Sequence, residues 1–164
     1  MKITKYCCYI VPAGWRNLTY LKIETDEEIV GFGEANVVGK THTVFEYLKE
    51  KKRQIIGHDV FNIESLYQKL TLLDFGVPGQ VVMTALGLLE MACWDCIGKK
   101  ANLPVYKLLG GAVKEKIPAY ANGWYKGNRT PSNFHEAAKK VIEKGYRALK
   151  FDPFGNGNLE LSRE

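Results

Sequence analysis

Residues 117–153 have the sequence IPAYANGWYKGNRTPSNFHEAAKKVIEKGYRALKFDP. The pattern predicts a strand over 117–124, a helix after Thr130, and a second strand over 146–152 that Pro153 ends. Thr130 can cap the helix N-terminus, and the proline that follows it suits the first helical position. Two strands joined by one helix predict a βαβ unit, whose crossover is almost always right-handed.

The second predicted strand carries two polar residues at its carboxyl end. Because side chains alternate along a strand, Lys150 and Asp152 share one face and Phe151 takes the other. Parallel α/β folds bind their ligands at the carboxyl ends of the strands, so these two side chains are candidates for a functional site. The alternative, a lysine and an aspartate at a surface strand end, fits the pattern equally well.

The composition is that of an ordinary globular protein: 164 residues, 46% hydrophobic and 25% charged, with a formal net charge of +5. The basic runs at 49–53 and 139–144 include glutamates and lie on predicted helix faces, which favours a solvated surface over a nucleic-acid patch. No apolar run is expected to span a membrane, and the N-terminus lacks a signal-peptide pattern. We therefore expect a cytoplasmic protein without nucleic-acid or membrane partners.

Four cysteines raise the question of a metal or redox site. Cys7 and Cys8 are neighbours in a strand pattern, so they point to opposite faces and cannot jointly bind one ion without a bulge. Cys93 and Cys96 match C-x-x-C, but zinc needs a second pair of ligands, and none follows at a usable spacing. Both lie in an apolar helical stretch, which predicts packed thiols without disulfides. His58, in a turn, is better explained by local hydrogen bonding than by catalysis.

The first 111 residues predict an α+β domain. Three strand candidates follow one another with short turns, as in an antiparallel meander: 2–11, 18–25 and 29–35. Helices are predicted over four further stretches: 43–56, 62–72, 81–97 and 104–109. The third of these helices is apolar on more than one side and should be buried on several sides. Gly110 and Gly111 end the last helix and mark the predicted boundary between a first domain, 1–111, and a second, 112–164.

Three stretches carry a resemblance to a known family. GFGEA at 31–35 lies on the third predicted strand, and ACWDCIGK at 92–99 runs into LPVYKLLGG at 103–111. In order and spacing these blocks resemble the enolase superfamily, in its mandelate racemase and muconate-lactonizing branch. LKFDP at 149–153 falls where that family ends its second barrel strand. The resemblance implies an α+β N-terminal capping domain followed by the first two strands of a modified (β/α), TIM-like barrel.

The same resemblance implies an enzyme that binds Mg²⁺ in the barrel and abstracts a proton next to a carboxylate, with the metal stabilising the enediolate that forms. The family's three acidic metal ligands sit on later barrel strands, which would lie beyond Glu164. We therefore expect this chain to be an N-terminal portion that binds no catalytic metal and is inactive alone. A small carboxylate substrate and a homo-oligomer at full length are also implied.

The second predicted strand departs from Lys-x-Lys, a common pattern of this branch in which the second lysine is the base. Asp152 occupies that second position, where a carboxylate near Mg²⁺ would be a poor base. Lys150 matches the first lysine, which helps to hold the substrate carboxylate. This favours the acid-sugar dehydratases, lyases that use a His-Asp pair on later strands as base, over a racemase, epimerase or cycloisomerase. The alternative of another class is a non-catalytic interaction protein that uses the cap alone.

Two loops of the family's capping domain close over the substrate, and they correspond to 12–17 and 36–42. Within the first loop, Trp15 can exclude water and Arg16 can meet a carboxylate or a hydroxylated substrate, unless both are simply surface turn residues.

Two further candidates lie at the end of the first predicted barrel strand. Asn122 could bond a substrate hydroxyl. Trp124 is as well explained by packing as by contact with the substrate.

Overall fold

The structure, a computed structural model, describes residues 1–72, 74 and 76–153. The chain divides into two compact units, Met1–Ala112 and Val113–Glu164, here called the first and second units. The described elements are β1 Ile3–Ala13, β2 Arg16–Thr25, β3 Val30–Ala35, α1 Thr41–Glu50, α2 Lys52–Ile55, α3 Ile63–Leu72, α4 Gln80–Ala101, α5 Val105–Leu108 and α6 Pro131–Glu143. Helix α6 lies in the second unit, and all the others belong to the first.

The three strands form one antiparallel sheet in the order β1-β2-β3. The alternation along β2 sets its orientation, since Leu21 and Ile23 are fully buried whereas Tyr20 and Lys22 face the other side and are half-buried. The predicted meander is confirmed, and each strand bound lies within two residues of its expected position.

The turn between β1 and β2 is shorter than the predicted turn over 12–17. The ladder continues until Ala13 pairs with Arg16, which leaves only Gly14 and Trp15 to reverse the chain. Gly14 adopts φ 69°, a left-handed conformation that costs glycine little and allows so tight a turn. The first candidate loop is therefore the tip of a long hairpin.

Two glycines let the longest helix, α4, lie directly against β3. A Cβ atom at Gly31 would come within 2.0 Å of the Ala92 carbonyl oxygen, and one at Gly33 within 2.2 Å of the Leu88 carbonyl oxygen. Any side chain at either position would push the helix away from the sheet. The two glycines of the GFGEA block are therefore needed for close packing of β3 against α4. Helix α4 supplies much of the core at this contact, through Ala85, Leu86, Leu88, Leu89, Ala92, Cys93, Cys96 and Ile97.

Asp95 and Lys99 of α4 cover the free edge of β3. The Asp95 carboxylate accepts a hydrogen bond from the Phe32 amide at 2.9 Å, and the Lys99 ammonium donates to the Val30 carbonyl at 2.7 Å. The two side chains also pair with each other at 2.7 Å. These contacts satisfy backbone groups that an edge strand leaves unpaired, which explains part of the Trp-Asp block in physical terms.

Helix α4 is longer than the predicted helix over 81–97. It ends at Ala101 because Asn102 adopts the left-handed conformation (φ 51°), and the Leu103 amide bonds back to the Gly98 carbonyl at 3.0 Å. With 22 residues it is long and apolar enough to cross a membrane by length and composition, contrary to the sequence-based expectation. Half of its most apolar window is buried inside the protein, so α4 is a core helix.

The predicted helix over 43–56 is two helices, α1 and α2. Helix α1 starts two residues early, at Thr41, whose hydroxyl lies 3.2 Å from the Thr19 hydroxyl, with both side chains buried. Val37, in the preceding segment, is also buried in the core. The second candidate loop, 36–42, is therefore anchored to the first unit on either side of Gly39.

The second unit contains no strand in its described residues, 113–153. The segments predicted as strands, 117–124 and 146–152, meet in a single parallel bridge between Ala121 and Leu149. The two predicted barrel strands are therefore not formed as strands in this part of the chain, although their predicted parallel pairing is present at one point. A parallel pair without further strands beside it gains too little from pairing to extend.

The hydrogen bonds of the bridge show where the pairing stops. The Ala121 amide donates to the Ala148 carbonyl, and the Lys150 amide donates to the Ala121 carbonyl, each at 2.9 Å. The next pair would involve Gly123, but its φ of 65° turns the chain out of the extended conformation.

Helix α6 confirms the helix predicted after Thr130. The Thr130 hydroxyl accepts a hydrogen bond from the Asn133 amide at 3.3 Å, and Pro131 takes the first helical position. After the helix, Gly145 adopts φ 90° and its amide bonds to the Ile142 carbonyl at 2.8 Å. The helix thus begins and ends where the sequence predicts.

Candidate functional site

Lys150 and Asp152 lie where the chain leaves the parallel bridge, and both side chains are exposed. The Lys150 ammonium is 5.8 Å from the centre of the Tyr120 ring, a cation–π distance. The Asp152 carboxylate is 3.5 Å from a guanidinium nitrogen of Arg129. Each predicted catalytic group is therefore held near a side chain from an earlier part of the second unit.

Phe151 lies between these two residues in sequence and packs in an aromatic cluster. Its ring centre is 5.7 Å from that of Trp124 and 5.2 Å from that of Phe134. Tyr125 joins the same cluster, 5.3 Å from Trp124 and 5.2 Å from Phe134. The cluster buries part of each ring and anchors the segment that carries Lys150 and Asp152.

Side chains continue the hydrogen bonding where the main-chain ladder stops. In a regular parallel ladder, Gly123 would bond to the Lys150 carbonyl and to the Asp152 amide. Instead, the Trp124 indole N–H donates to the Lys150 carbonyl at 2.8 Å, and the Asp152 amide donates to the Tyr125 hydroxyl at 3.1 Å. Two residues thus replace the missing bridge.

Arg129 adds a second contact to Asp152. Its guanidinium bonds to the Asp152 carbonyl, lies beside the carboxylate, and sits over the Tyr125 ring at 5.3 Å from its centre. The sequence reasoning missed both Tyr125 and Arg129. The available signal is their position in the segment between the predicted first strand and α6, since such segments often carry functional residues.

The two substrate-binding candidates near the bridge have different surroundings. Asn122 is exposed and directly follows the buried residue Ala121. Trp124 is half-buried, with its ring in the aromatic cluster and its N–H on the Lys150 carbonyl. The packing interpretation of Trp124 is therefore confirmed. Contact of Asn122 or Trp124 with a substrate stays a prediction.

Trp15 and Arg16 lie at the tip of the β1–β2 hairpin in the first unit. The Trp15 side chain is 78% exposed, and the Arg16 guanidinium is 5.2 Å from the centre of its ring. Because Thr19 of β2 pairs with Ala35 of β3, the hairpin tip and the loop at 36–42 lie at the same end of the sheet. Their contact with a substrate stays a prediction.

The cysteines do not form a reactive pair. Cys93 and Cys96 are buried in α4, and burial raises the pKa of these thiols to about 12 and about 11. In β1, burial raises the pKa of the Cys8 thiol to about 11. All four cysteines are free. Thiols that stay neutral at ordinary pH are poor nucleophiles and poor metal ligands, so the prediction of packed thiols in α4 is confirmed.

No three His, Cys, Asp or Glu side chains come together as a metal site within residues 1–72, 74 and 76–153. These residues therefore do not fit the catalytic metal that the resemblance implies. The expectation that its ligands lie beyond Glu164 stays a prediction.

Comparison with known proteins gives both family and structural matches. The family model described as the mandelate racemase / muconate lactonizing enzyme N-terminal domain matches residues 13–110. The D-galactonate dehydratase of Pectobacterium atrosepticum is 40% identical over 152 residues, which make up 93% of this chain and 38% of that protein. The chain thus spans little more than a third of the length of this curated relative.

Two crystal structures resemble the chain over both units. A mandelate racemase/muconate lactonizing enzyme from Sulfitobacter sp. has a TM-score of 0.85 and 30% identity, covering 97% of this chain and 44% of that one. An enolase from Pantoea ananatis, with bound D-gluconate and magnesium, has a TM-score of 0.80 and 30% identity, covering 90% of this chain and 35% of that one.

Proposed function

The chain belongs to the mandelate racemase / muconate lactonizing enzyme family, and from this premise we propose that it is the N-terminal part of a sugar-acid dehydratase. Such a lyase removes the proton next to the carboxylate of an aldonic acid and expels a hydroxyl group from the neighbouring carbon. The observation that carries the proposal is the 40% identity to a D-galactonate dehydratase over 93% of this chain.

Lys150 has the chemistry to bind the acid group of such a substrate. Its ammonium is exposed at the carboxyl end of the bridge segment, above the Tyr120 ring. A lysine in this position can form a charge-assisted hydrogen bond to a carboxylate, and it can stabilise the negative charge that develops when the neighbouring proton leaves. We assign this role to Lys150.

Asp152 is better suited to bind a hydroxyl group than to abstract a proton. Its carboxylate is already beside the Arg129 guanidinium, 3.5 Å away, which favours an acceptor role. A polyhydroxylated acid offers several O–H donors to such an acceptor. We therefore assign the base to neither residue and expect it on later barrel strands.

Magnesium is proposed as the cofactor of the full-length enzyme, because the Pantoea ananatis enolase holds this ion together with D-gluconate. Its ligands would lie in the remainder of the protein, and it would stabilise the negative charge formed on proton removal. The full-length enzyme is further proposed to be cytoplasmic and homo-oligomeric.

The test is to incubate the full-length protein with aldonic acids, including D-galactonate, and to follow the loss of water by mass spectrometry. Lys150→Ala should lower kcat/KM by about 10²–10³-fold without changing the circular dichroism spectrum. Lys144→Ala, which removes another exposed lysine of the second unit, is the matched control.

Unchanged turnover in Lys150→Ala would remove this lysine from the site. If the parent protein exchanges the α-proton in D₂O but releases no water, the racemase alternative replaces the dehydratase. If it does neither with any aldonic acid, the proposed function is wrong.

A further inference from the structure

The Asp152 peptide unit lies where regular strand pairing has already ended. Gly123, with its φ of 65°, cannot supply the main-chain partner that a parallel ladder would give to the Asp152 amide. A residue in that position would ordinarily be left to water and to local motion. Here the amide, the carbonyl and the carboxylate of Asp152 each contact a side chain of the second unit.

Tyr125 supplies the first contact. Its hydroxyl accepts the Asp152 amide hydrogen at 3.1 Å. The ring that carries this hydroxyl packs against Trp124 and Phe134, with centres 5.3 and 5.2 Å apart, so packing sets the direction of the hydroxyl. A phenylalanine in its place would keep the packing and lose only the acceptor.

Arg129 supplies the other two contacts. Its guanidinium donates to the Asp152 carbonyl and lies 3.5 Å from the carboxylate, while the same group covers the Tyr125 ring. A planar guanidinium with several donors can serve a carbonyl, a carboxylate and an aromatic face at once, whereas the compact ammonium of a lysine cannot. Arg129 and Tyr125 therefore act on Asp152 as one unit.

We propose that Tyr125 and Arg129 are positioning residues that fix the Asp152 carboxylate so that it accepts a hydrogen bond from a hydroxyl group of the sugar acid. This role rests on the proposed function, because the hydroxyl belongs to the proposed substrate. It goes further by naming the two residues that act through Asp152 and the part of the substrate that Asp152 recognises.

The contacts that Tyr125 and Arg129 make with Asp152, here called the clamp, can be tested without any enzymatic activity. In the full-length protein, Tyr125→Phe should make the Asp152 amide exchange its hydrogen about tenfold faster, because the amide loses its acceptor. Tyr146→Phe, the same change at an exposed tyrosine of the second unit, should leave this rate unchanged. Equal exchange in the parent protein and Tyr125→Phe would overturn the clamp, whatever the protein catalyses.

A double-mutant cycle tests whether the clamp acts through Asp152 during turnover. Tyr125→Phe should lower kcat/KM for the sugar acid about fivefold in the parent protein but have no effect in the Asp152→Asn background. Arg129→Lys should behave in the same way, with Arg147→Lys as its control. Equal losses in both backgrounds would show a merely structural role and overturn the proposal.

The two proposals fail in different ways. If the parent protein dehydrates no sugar acid, the proposed function is wrong, and a hydroxyl of such an acid cannot be the partner of Asp152. The hydrogen-exchange result still decides separately whether Tyr125 holds the Asp152 amide.

Discussion

The strands of the first unit pair in one three-stranded sheet, whereas the described residues of the second unit, 113–153, show strand-like pairing at a single bridge. Hairpins between neighbouring strands build the sheet of the first unit, and Asp95 and Lys99 then cover the free edge of β3. In the described part of the second unit, the parallel pairing stops after Ala121 and Leu149. Antiparallel strands can pair within one local meander, but parallel strands depend on partners from distant parts of the chain.

The two units also differ in how far their apolar side chains are buried. In the first unit, one continuous core runs from Ile3 in β1 to Ile97 in α4. In the described second unit, Ile117 and Ile142 are 83% and 59% exposed. Under the proposed function, these are side chains that further barrel elements would cover.

The largest effect is expected where α4 touches β3. Gly33→Ala should lower the free energy of unfolding by about 3 kcal/mol, because the new Cβ atom would meet the Leu88 carbonyl and force the helix and the sheet apart. Gly87→Ala, in α4 with open space around it, should change stability by at most about 1 kcal/mol, in the stabilising direction. Urea unfolding measures both, and equal stability of Gly33→Ala and the parent protein would contradict this contact.

A smaller effect is expected at the edge of β3. Asp95→Ala should cost about 1–2 kcal/mol, because the Phe32 amide and the Lys99 ammonium lose an ionised acceptor that is only partly shielded from water. Asp95→Asn keeps an acceptor and should cost less than Asp95→Ala in the same urea titration. If both variants match the parent protein, water satisfies this edge equally well.

In the second unit, loss of the helix cap should have a local effect. Thr130→Ala should destabilise the start of α6 by about 1 kcal/mol, while Thr130→Ser keeps the capping oxygen. Because few of the described side chains of the second unit are buried, we expect faster hydrogen exchange in the first turn of α6 without a change in the first unit. A cooperative loss of stability across both units would contradict the contrast between them.

The smallest effect near neutral pH is expected from the buried thiols. Burial raises the pKa of Cys93 to about 12 and that of Cys96 to about 11, against about 9 for an ordinary thiol. The unfolded chain therefore ionises first, so the stabilising contribution of the neutral thiols is complete below about pH 9 and is lost as the pH rises toward 11–12. Cys93→Ala should flatten this alkaline decline in urea midpoints, and an unchanged slope would contradict it.

Elements that depend on local patterns could be predicted from the sequence in both units. In the first unit, alternation around Leu21 and Ile23 identifies β2. In the second unit, the Thr130-Pro131 pair marks the start of α6. The two predicted barrel strands meet only at the Ala121–Leu149 bridge in the described residues, because alternation indicates which faces can pair but not whether a further strand lies beside them. The break at Gly123 depends on a backbone angle that its sequence context does not specify.

The candidate site was predictable only in part, because sequence patterns report local features and not contacts between distant segments. Alternation identified Lys150 and Asp152, since Phe151 between them places its ring against Trp124 and Phe134. Tyr125 and Arg129 could not be found in this way, because their contacts with Asp152 join residues more than twenty positions apart around α6. Such contacts appear only when the crossover brings the two segments together.

Hydrogen exchange of the full-length enzyme, with and without the sugar acid that it dehydrates, tests the account most directly. We predict slower exchange over residues 148–153 when the acid is bound, because Lys150 and Asp152 would contact its carboxylate and a hydroxyl group. The β2 peptide 18–25, already bonded to a strand on each side, should not change. Unchanged exchange over 148–153 at a saturating concentration of the acid would contradict the assignment of Lys150 and Asp152 to the substrate site.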